Sequence, residues 1–181
     1  MGVSAAMVAT AVAVPASAGT CAPSTTCPTT VTFTVSAGDG LEITVPDGPV
    51  SVGTGAPGTQ VSGQIGTVTV SDERAALSAT WITSVTATDF TTGGGTPSET
   101  VPNTAVRYWS GPATATTGVG TFVPGQLNAA SAVFLDQVRT AFSKTTGSGN
   151  NSASWNPTVV VDIPASAVAG LYTGTVNHSV A

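Results

Sequence analysis

The chain has 181 residues, of which only 7% are charged, and its formal net charge is −5. Its four basic residues, Arg74, Arg107, Arg139 and Lys144, are too few to neutralise a phosphate backbone, so the composition argues against a nucleic-acid partner. Soluble domains carry about 25% charged residues, so this surface must consist largely of Thr, Ser, Gly and Asn. Such a surface is typical of extracellular β-rich modules. The length suits one domain with its own core.

Residues 1–18 predict a signal peptide. An apolar run ends in Ala16-Ser17-Ala18, the small-x-small pattern that a signal peptidase requires, so the mature chain is expected to begin at Gly19. No basic segment precedes the run, and an apolar helix belonging to the fold is the alternative. At about a dozen residues the run is too short to span a bilayer. We therefore expect a secreted, extracellular protein with no membrane span.

A Thr/Pro-rich leader, residues 19–30, contains the two cysteines of the chain, Cys21 and Cys27. In an exported protein, two cysteines at this spacing are expected to form a disulfide that closes a small loop. Lipid attachment at Cys21 is a weaker alternative, because Thr20 occupies a position where a smaller residue is required. A metal or redox pair would need further ligands, so no metal and no cofactor are expected.

Short alternating patterns follow from residue 31 onward, with turn residues between them. Val31, Phe33 and Val35 alternate with threonines and, with residues 41–45, predict a hairpin around the turn at 37–40. Further strands are predicted at residues 67–70, at 77–87 with Trp81 near the middle, and at 105–109. Residues 129–144 fit either a helix or a strand, and the β-rich surroundings favour a strand from about Gln137.

The last patterned segments, residues 158–163 and 172–180, predict two strands with apolar residues on alternate positions. The sequence stops within the second pattern, so no sortase-type anchor is expected. Eight or nine short strands at this spacing predict an all-β domain over residues 31–181. The expected architecture is an immunoglobulin-like or Greek-key two-sheet β-sandwich.

Catalytic patterns are weak in this sequence. His178 is the only histidine, and no G-x-S-x-G elbow presents a serine. Calcium bound by Asp39, Asp47, Asp72 or Asp89 is chemically reasonable, but these residues lack an Asp-x-Asp-x-Asp spacing. A pair of carboxylates could hydrolyse glycans, although no pair is marked by its spacing. The sequence therefore predicts a protein that is not an enzyme.

Aromatic residues supply the best candidates for ligand contact. Trp81, Trp155 and Tyr172 are expected in the core. Tyr108 and Trp109 are adjacent on a predicted strand and must point to opposite faces, so one of them is expected to be exposed. This pair, with His178 near a strand end, forms the predicted glycan-contact set.

Three segments together resemble a known family. They are Val70-Ser71-Asp72-Glu73-Arg74, Ala79-Thr80-Trp81-Ile82-Thr83, and residues 169–180, AGLYTGTVNHSV. In this order they resemble the WxL-domain family and its actinobacterial WxL-like relatives, over residues 41–181. Trp81-Ile82-Thr83 stands where that family has its first Trp-x-Leu, and His178-Ser179-Val180 stands where it has the second. The positions that carry the resemblance are Trp81, Tyr172 and Val180.

The resemblance implies an exported Gram-positive surface protein whose β-rich domain associates non-covalently with peptidoglycan. The expected partners are therefore the cell-wall polymer or other surface proteins. The first alternative is a self-assembling extracellular subunit, a homo-oligomer whose edge strands pair between copies. The second alternative is a glycan hydrolase with an unmarked carboxylate pair.

Overall fold

The computed structural model describes residues 22–38 and 40–181. The chain divides into two compact units, residues 1–35 and 36–181. In the described part of the first unit, a turn is closed by the Thr25 amide, which donates to the Ala22 carbonyl oxygen at 3.3 Å. The predicted signal peptide, the start at Gly19 and Cys21 lie outside the described residues. Cys27 is not a free cysteine, but its pairing with Cys21 stays a prediction.

The described residues of the second unit form fourteen strands and three short 3-10 helices. The strands are β1 (Leu41–Thr44), β2 (Gln60–Gln64), β3 (Val68–Asp72), β4 (Trp81–Ala87), β5 (Phe90–Thr91), β6 (Thr100–Val101), β7 (Val106–Trp109), β8 (Ala113–Thr117), β9 (Thr121–Pro124), β10 (Val133–Phe134), β11 (Arg139–Thr146), β12 (Asn151–Trp155), β13 (Thr158–Asp162) and β14 (Val176–Val180). The 3-10 helices are Pro97–Glu99, Asn103–Ala105 and Ala129–Ser131.

Three four-stranded sheets and one small pair account for all of these strands. Sheet A has the order β1-β3-β12-β8, sheet B has β10-β7-β13-β2, sheet C has β14-β4-β11-β9, and β5 pairs with β6. Every pairing between neighbouring strands is antiparallel. At one edge, β1 of sheet A contacts β14 of sheet C, and at the other edge β8 of sheet A contacts β9 of sheet C. Sheets A and C therefore pack against each other as two layers. The predicted all-β sandwich is confirmed, while the immunoglobulin-like and Greek-key topologies stay predictions.

Sheet B continues three strands of sheet A beyond a shared bend. The order β2-β13-β7 in sheet B repeats the order β3-β12-β8 in sheet A. The breaks fall at residues 65–67, 110–112 and 156–157. Gly66 and Gly111 adopt positive φ angles of 97° and 72° at two of these breaks, a conformation that favours glycine. Pro157 lacks the amide hydrogen needed to continue the ladder at the third.

Aromatic rings at the centre of the core connect sheets A and C. The rings of Phe142 and Trp155 stack with centroids 4.8 Å apart, and Trp81 lies 6.4 Å from Phe142. Trp81 and Trp155 are both buried, as predicted. Burying one large aromatic side chain contributes about 3 kcal/mol, so truncation of any one of these rings should destabilise the fold.

The predicted hairpin at residues 31–45 is wrong. Val31, Phe33 and Val35 belong to no strand and are 81%, 87% and 75% exposed. The later half of the predicted hairpin forms β1, which pairs with β3 instead. Alternation shows that a segment suits a sheet, but a strand also needs a partner that satisfies its backbone groups.

Two other boundaries differ from the prediction. The strand expected at 77–87 begins only at Trp81, and Leu77 is 92% exposed. In the ambiguous segment, the strand favoured from about Gln137 is confirmed as β11, which begins at Arg139. A bulge between Thr140 and Phe142 buries both Ala141 and Phe142, which breaks the simple alternation.

Candidate functional site

The adjacent aromatic residues Tyr108 and Trp109 are separated by the pleat of β7. Tyr108 points into the core and is fully buried, whereas Trp109 is half-buried on the opposite face. Tyr108 is therefore wrong as a direct glycan contact, because no ligand outside the domain reaches its ring. Trp109 is the member of the pair that a ligand can touch.

His178 also points inward, towards Tyr108. The two rings have centroids 5.7 Å apart, and the Tyr108 hydroxyl lies 3.2 Å from His178 Nε2. The Trp155 indole N–H donates to the same hydroxyl oxygen at 3.2 Å. An indole nitrogen can only donate, so the Tyr108 hydroxyl proton is left to bind the unprotonated Nε2 of a neutral histidine. Half-buried and engaged with the core, His178 does not share a face with Trp109.

Burial shifts the acid–base behaviour of both partners. The pKa of His178 falls to about 4 because burial disfavours the charged imidazolium. Burial also raises the pKa of Tyr108, since the phenolate would be charged, and the Trp155 hydrogen bond opposes this only in part. At neutral pH, both side chains are therefore uncharged members of the core.

The outer side of sheet B, on which Thr158 and Val160 are themselves buried, carries side chains from four strands, including Trp109. We call this group the sheet B face. It consists of Gln60 on β2, Arg107 and Trp109 on β7, Phe134 on β10 and Asp162 on β13. In the sheet register, Phe134 pairs with Arg107, Arg107 pairs with Val160, and Trp109 pairs with Thr158. Paired residues lie on the same side of a sheet, which places both aromatic rings on the outer side.

Hydrogen bonds fix the polar part of the sheet B face. Arg107 holds both oxygens of Asp162, with Nη2 at 2.9 Å from Oδ1 and Nε at 3.1 Å from Oδ2. The Gln60 amide nitrogen donates to Asp162 Oδ1 at 2.7 Å. Partial burial alone would raise the pKa of Asp162, but the hydrogen bonds from Arg107 and Gln60 outweigh it, so the pKa lies below its usual value.

Aromatic surface flanks this polar array. The Arg107 guanidinium carbon lies 5.8 Å from the centre of the Phe134 ring, and Phe134 is 43% exposed. At the other end, Gly111 lies against the Trp109 ring, where an added Cβ would sit 3.4 Å from Cζ3. Flat rings beside fixed donors and acceptors suit a ligand with both apolar and hydroxyl-bearing faces, which is the character of a sugar.

Sequence reasoning identified only Trp109 on this face. The shared parity of Arg107 and Trp109 was a signal that could have placed the arginine beside the tryptophan. The positions of Gln60, Phe134 and Asp162 depend on the order β10-β7-β13-β2, which local patterns do not encode.

The three positions that carry the family resemblance lie elsewhere. Trp81 is buried on β4, and Val180 is half-buried on the neighbouring strand β14, opposite Thr83. Tyr172 is half-buried, and its hydroxyl lies within hydrogen-bond distance of the carbonyl oxygens of Val168 and Ser98, at 2.9 and 3.1 Å. The two segments that stand for the Trp-x-Leu motifs therefore lie side by side in sheet C.

Cation sites of the kind considered from the sequence find little support in the described residues. Within residues 22–38 and 40–181, no three His, Cys, Asp or Glu side chains group as metal ligands. Asp72 is buried in an ion pair with Arg74 at 2.8 Å, and Asp89 accepts the Asn103 amide. Asp39 lies outside the described residues. A shallow depression of about 100 Å³ is lined by Gly40, Glu42, Ser71 and Glu73.

No family model matches the chain, and no curated protein and no solved structure matches it either. Among the helices of the described residues, none has the length and apolar character required to cross a membrane.

Proposed function

We propose that this chain is a secreted, non-enzymatic cell-surface module that associates non-covalently with the Gram-positive cell wall and contacts glycan through the sheet B face. The observation that carries the proposal is the placement of Trp109, half-buried on the same side of sheet B as the fixed Arg107–Asp162–Gln60 array. The resemblance to WxL-like surface proteins points to the same partner, peptidoglycan.

Because the basic side chains of the domain are paired or buried, the sheet B face is the main source of affinity for the wall. All three arginines are paired with aspartates: Arg74 with Asp72, Arg107 with Asp162, and Arg139 with Asp136. The only lysine is buried. Attraction to anionic wall polymers is therefore weak, and stacking with hydrogen bonding must supply the binding energy.

Co-sedimentation with purified peptidoglycan tests the proposal. Trp109→Ala should reduce the bound fraction several-fold while leaving the thermal melt close to that of the wild type, since the ring is not part of the core cluster. Phe33→Ala is the matched control, because it removes an aromatic ring that is 87% exposed and belongs to no strand. Equal binding by wild type and Trp109→Ala, or equal loss in both variants, would contradict the proposed face.

A self-assembling subunit is the second candidate, favoured by the edge strands. Among the described strands, β14 forms a ladder only with β4, contacts β1 at the sheet edge, and exposes Asn177 and Ser179. Proteins often guard such edges with lysine, and the only lysine of this chain lies in the core. Concentration-dependent size exclusion with electron microscopy distinguishes this candidate, since it requires ordered oligomers in the absence of any wall polymer.

A further inference from the structure

Residues 31–35, with the sequence VTFTV, have a strong strand pattern and no partner among the described strands. Their apolar side chains, Val31, Phe33 and Val35, are all exposed. The segment contains only β-branched and aromatic residues, which favour strands, and it has no charge, proline or glycine. Such a segment gains stability when it pairs with a sheet edge that offers free backbone groups.

Strand β2 provides an edge of this kind, because it forms a ladder only with β13 among the described strands. The Ile65 amide donates to the Pro157 carbonyl oxygen at 3.0 Å, which continues that ladder by one residue pair. Bonded and non-bonded pairs alternate in an antiparallel ladder, so the odd-numbered residues bond to β13. The backbone N–H and C=O groups of the even-numbered residues therefore point away from it. These residues are Gln60, Ser62 and Gln64.

The other edges of the large sheets are shorter or lie against a neighbouring strand. β1 contacts β14 and β8 contacts β9 across the two layers, and β10 has only two residues. By contrast, β2 has five residues and contains no lysine, no proline and no charge. Proteins usually guard sheet edges with such residues, so β2 is an edge that can accept another strand.

The side chains of residues 31–35 and 61–65 match when Phe33 lies opposite Gly63. In the antiparallel direction, which every ladder of this domain uses, each valine then meets Val61 or Ile65 and each threonine meets a serine or a glutamine. An aromatic ring beside an edge glycine shields its backbone. Burial of apolar surface would add to this pairing, because three half-buried apolar residues line the edge: Val52, Val61 and Ile65.

Chain length assigns this added strand to a second copy of the protein. The Gly38 amide donates to the Glu73 carbonyl oxygen at 2.9 Å, which anchors residue 38 at the end of β3 away from the bend at 65–67. From Glu73 to Val68 the chain spans about 16 Å, and β2 lies beyond that point. The three residues from Val35 to Gly38 span at most about 11 Å. A chain therefore does not reach its own β2 edge with this segment.

We propose that residues 31–35 of one chain add as an antiparallel strand to the β2 edge of a second copy, as a fifth strand of sheet B. Backbone hydrogen bonds provide the affinity, and the alternating side chains provide the register. The donating segment and the accepting edge are different surfaces, so each copy can donate to one neighbour and accept from another. The assembly goes beyond wall association, since no wall polymer takes part in it.

Sedimentation velocity of the full chain, without wall polymer, tests this pairing. The wild type should form oligomers whose size rises with concentration. Thr34→Pro removes a backbone N–H that the added strand donates to Ser62, so it should weaken association by about tenfold or more. Thr34→Ala keeps that N–H and should associate like the wild type. Both variants should melt like the wild type, because residue 34 lies outside every strand.

Two results of this experiment would overturn the proposal. One is a wild-type chain that stays monomeric at its highest soluble concentration. The other is a set of oligomers that persists unchanged in Thr34→Pro.

A complementation experiment tests the accepting edge. The Ser62 N–H points away from β13, a position at which an edge strand tolerates proline. Thr34→Pro and Ser62→Pro should each be monomeric alone. Their mixture should form a one-to-one complex, because the first variant keeps the accepting edge and the second keeps the donating segment. A mixture that stays monomeric contradicts the proposal.

Hydrogen exchange of the wild type distinguishes β2 from β14, the other five-residue edge without a charged residue. The amides of residues 60–64 should exchange more slowly at concentrations that favour oligomers. Slower exchange confined to residues 176–180 would assign the assembly to β14 and overturn the proposal.

Wall association and strand addition fail independently, because co-sedimentation needs the polymer and the oligomers do not. The Phe33→Ala control for wall binding belongs at protein concentrations at which the wild type is monomeric, since strand addition uses that ring.

Discussion

Acidification from neutral pH should destabilise the domain through His178. The folded-state pKa is about 4, whereas an unfolded histidine titrates near about 6.5. Between these values the unfolded chain binds more protons than the folded one, so the stability present above about pH 6.5 is lost as the pH falls towards 4. Below about pH 4, this histidine contributes no further loss.

The magnitude follows from the same pKa difference. Each tenfold change in proton affinity corresponds to about 1.4 kcal/mol, so a pKa difference of about 2.5 sets an upper limit of about 3.5 kcal/mol. Because the side chain is only half-buried, we expect about 1 to 3 kcal/mol. The structural cause is local: a proton on Nε2 would place an imidazolium against the buried Tyr108 hydroxyl and remove the acceptor of its hydrogen bond.

Urea unfolding at pH 7.5 and pH 4.5 measures this effect. His178→Gln keeps a polar side chain on β14 but does not titrate, so its free energy of unfolding should fall less than that of the wild type between the two pH values. Other groups also titrate in this range, and the difference between the two proteins isolates His178. Equal falls in both proteins would refute the reasoning.

Three further predictions concern single side chains. Trp81→Ala should cost about 3 to 5 kcal/mol, as truncation of a buried aromatic does; a normal thermal melt would show that the ring is not part of the core. Cys27→Ser should lower the melting temperature of the 36–181 unit by less than about 10 °C, because a loop of this length is worth about 2 kcal/mol and lies in the other unit; a larger fall in calorimetry would contradict this. Asp162→Asn should weaken wall binding because it releases Arg107, and it should lower the stability of the fold only slightly. If the variant co-sediments with peptidoglycan as well as the wild type does, the ion pair takes no part in binding.

Local alternation predicted a strand correctly where the segment has a neighbouring strand to pair with. β13 and β14 form where strands were predicted at 158–163 and 172–180, but β13 is buried on both faces instead of alternating, and β14 begins only at Val176. The same rule failed at residues 31–35, where the pattern is equally clear but no strand among residues 22–38 and 40–181 pairs with it. Periodicity reports whether a segment suits a sheet, whereas pairing depends on distant residues.

The buried charges were less accessible to sequence reasoning. Lys144 lies in β11, a strand of eight residues, and a single lysine among threonines and serines gives no local sign of burial. Its burial results from the facing strand β12 and from the glycine turn that packs on its stem. The sheet B face is a similar case, since the Arg107–Asp162 pair joins residues 55 positions apart in sequence.

Wall association through aromatic stacking rather than charge is the central claim, and its salt dependence tests it most directly. The affinity of the full chain for purified peptidoglycan would be measured at low salt and at 1 M salt, where the screening length falls to about 3 Å. We expect affinities within about twofold of each other, because all three arginines are paired and the lysine is buried. Loss of binding at 1 M salt, or no binding at either salt concentration, would contradict it.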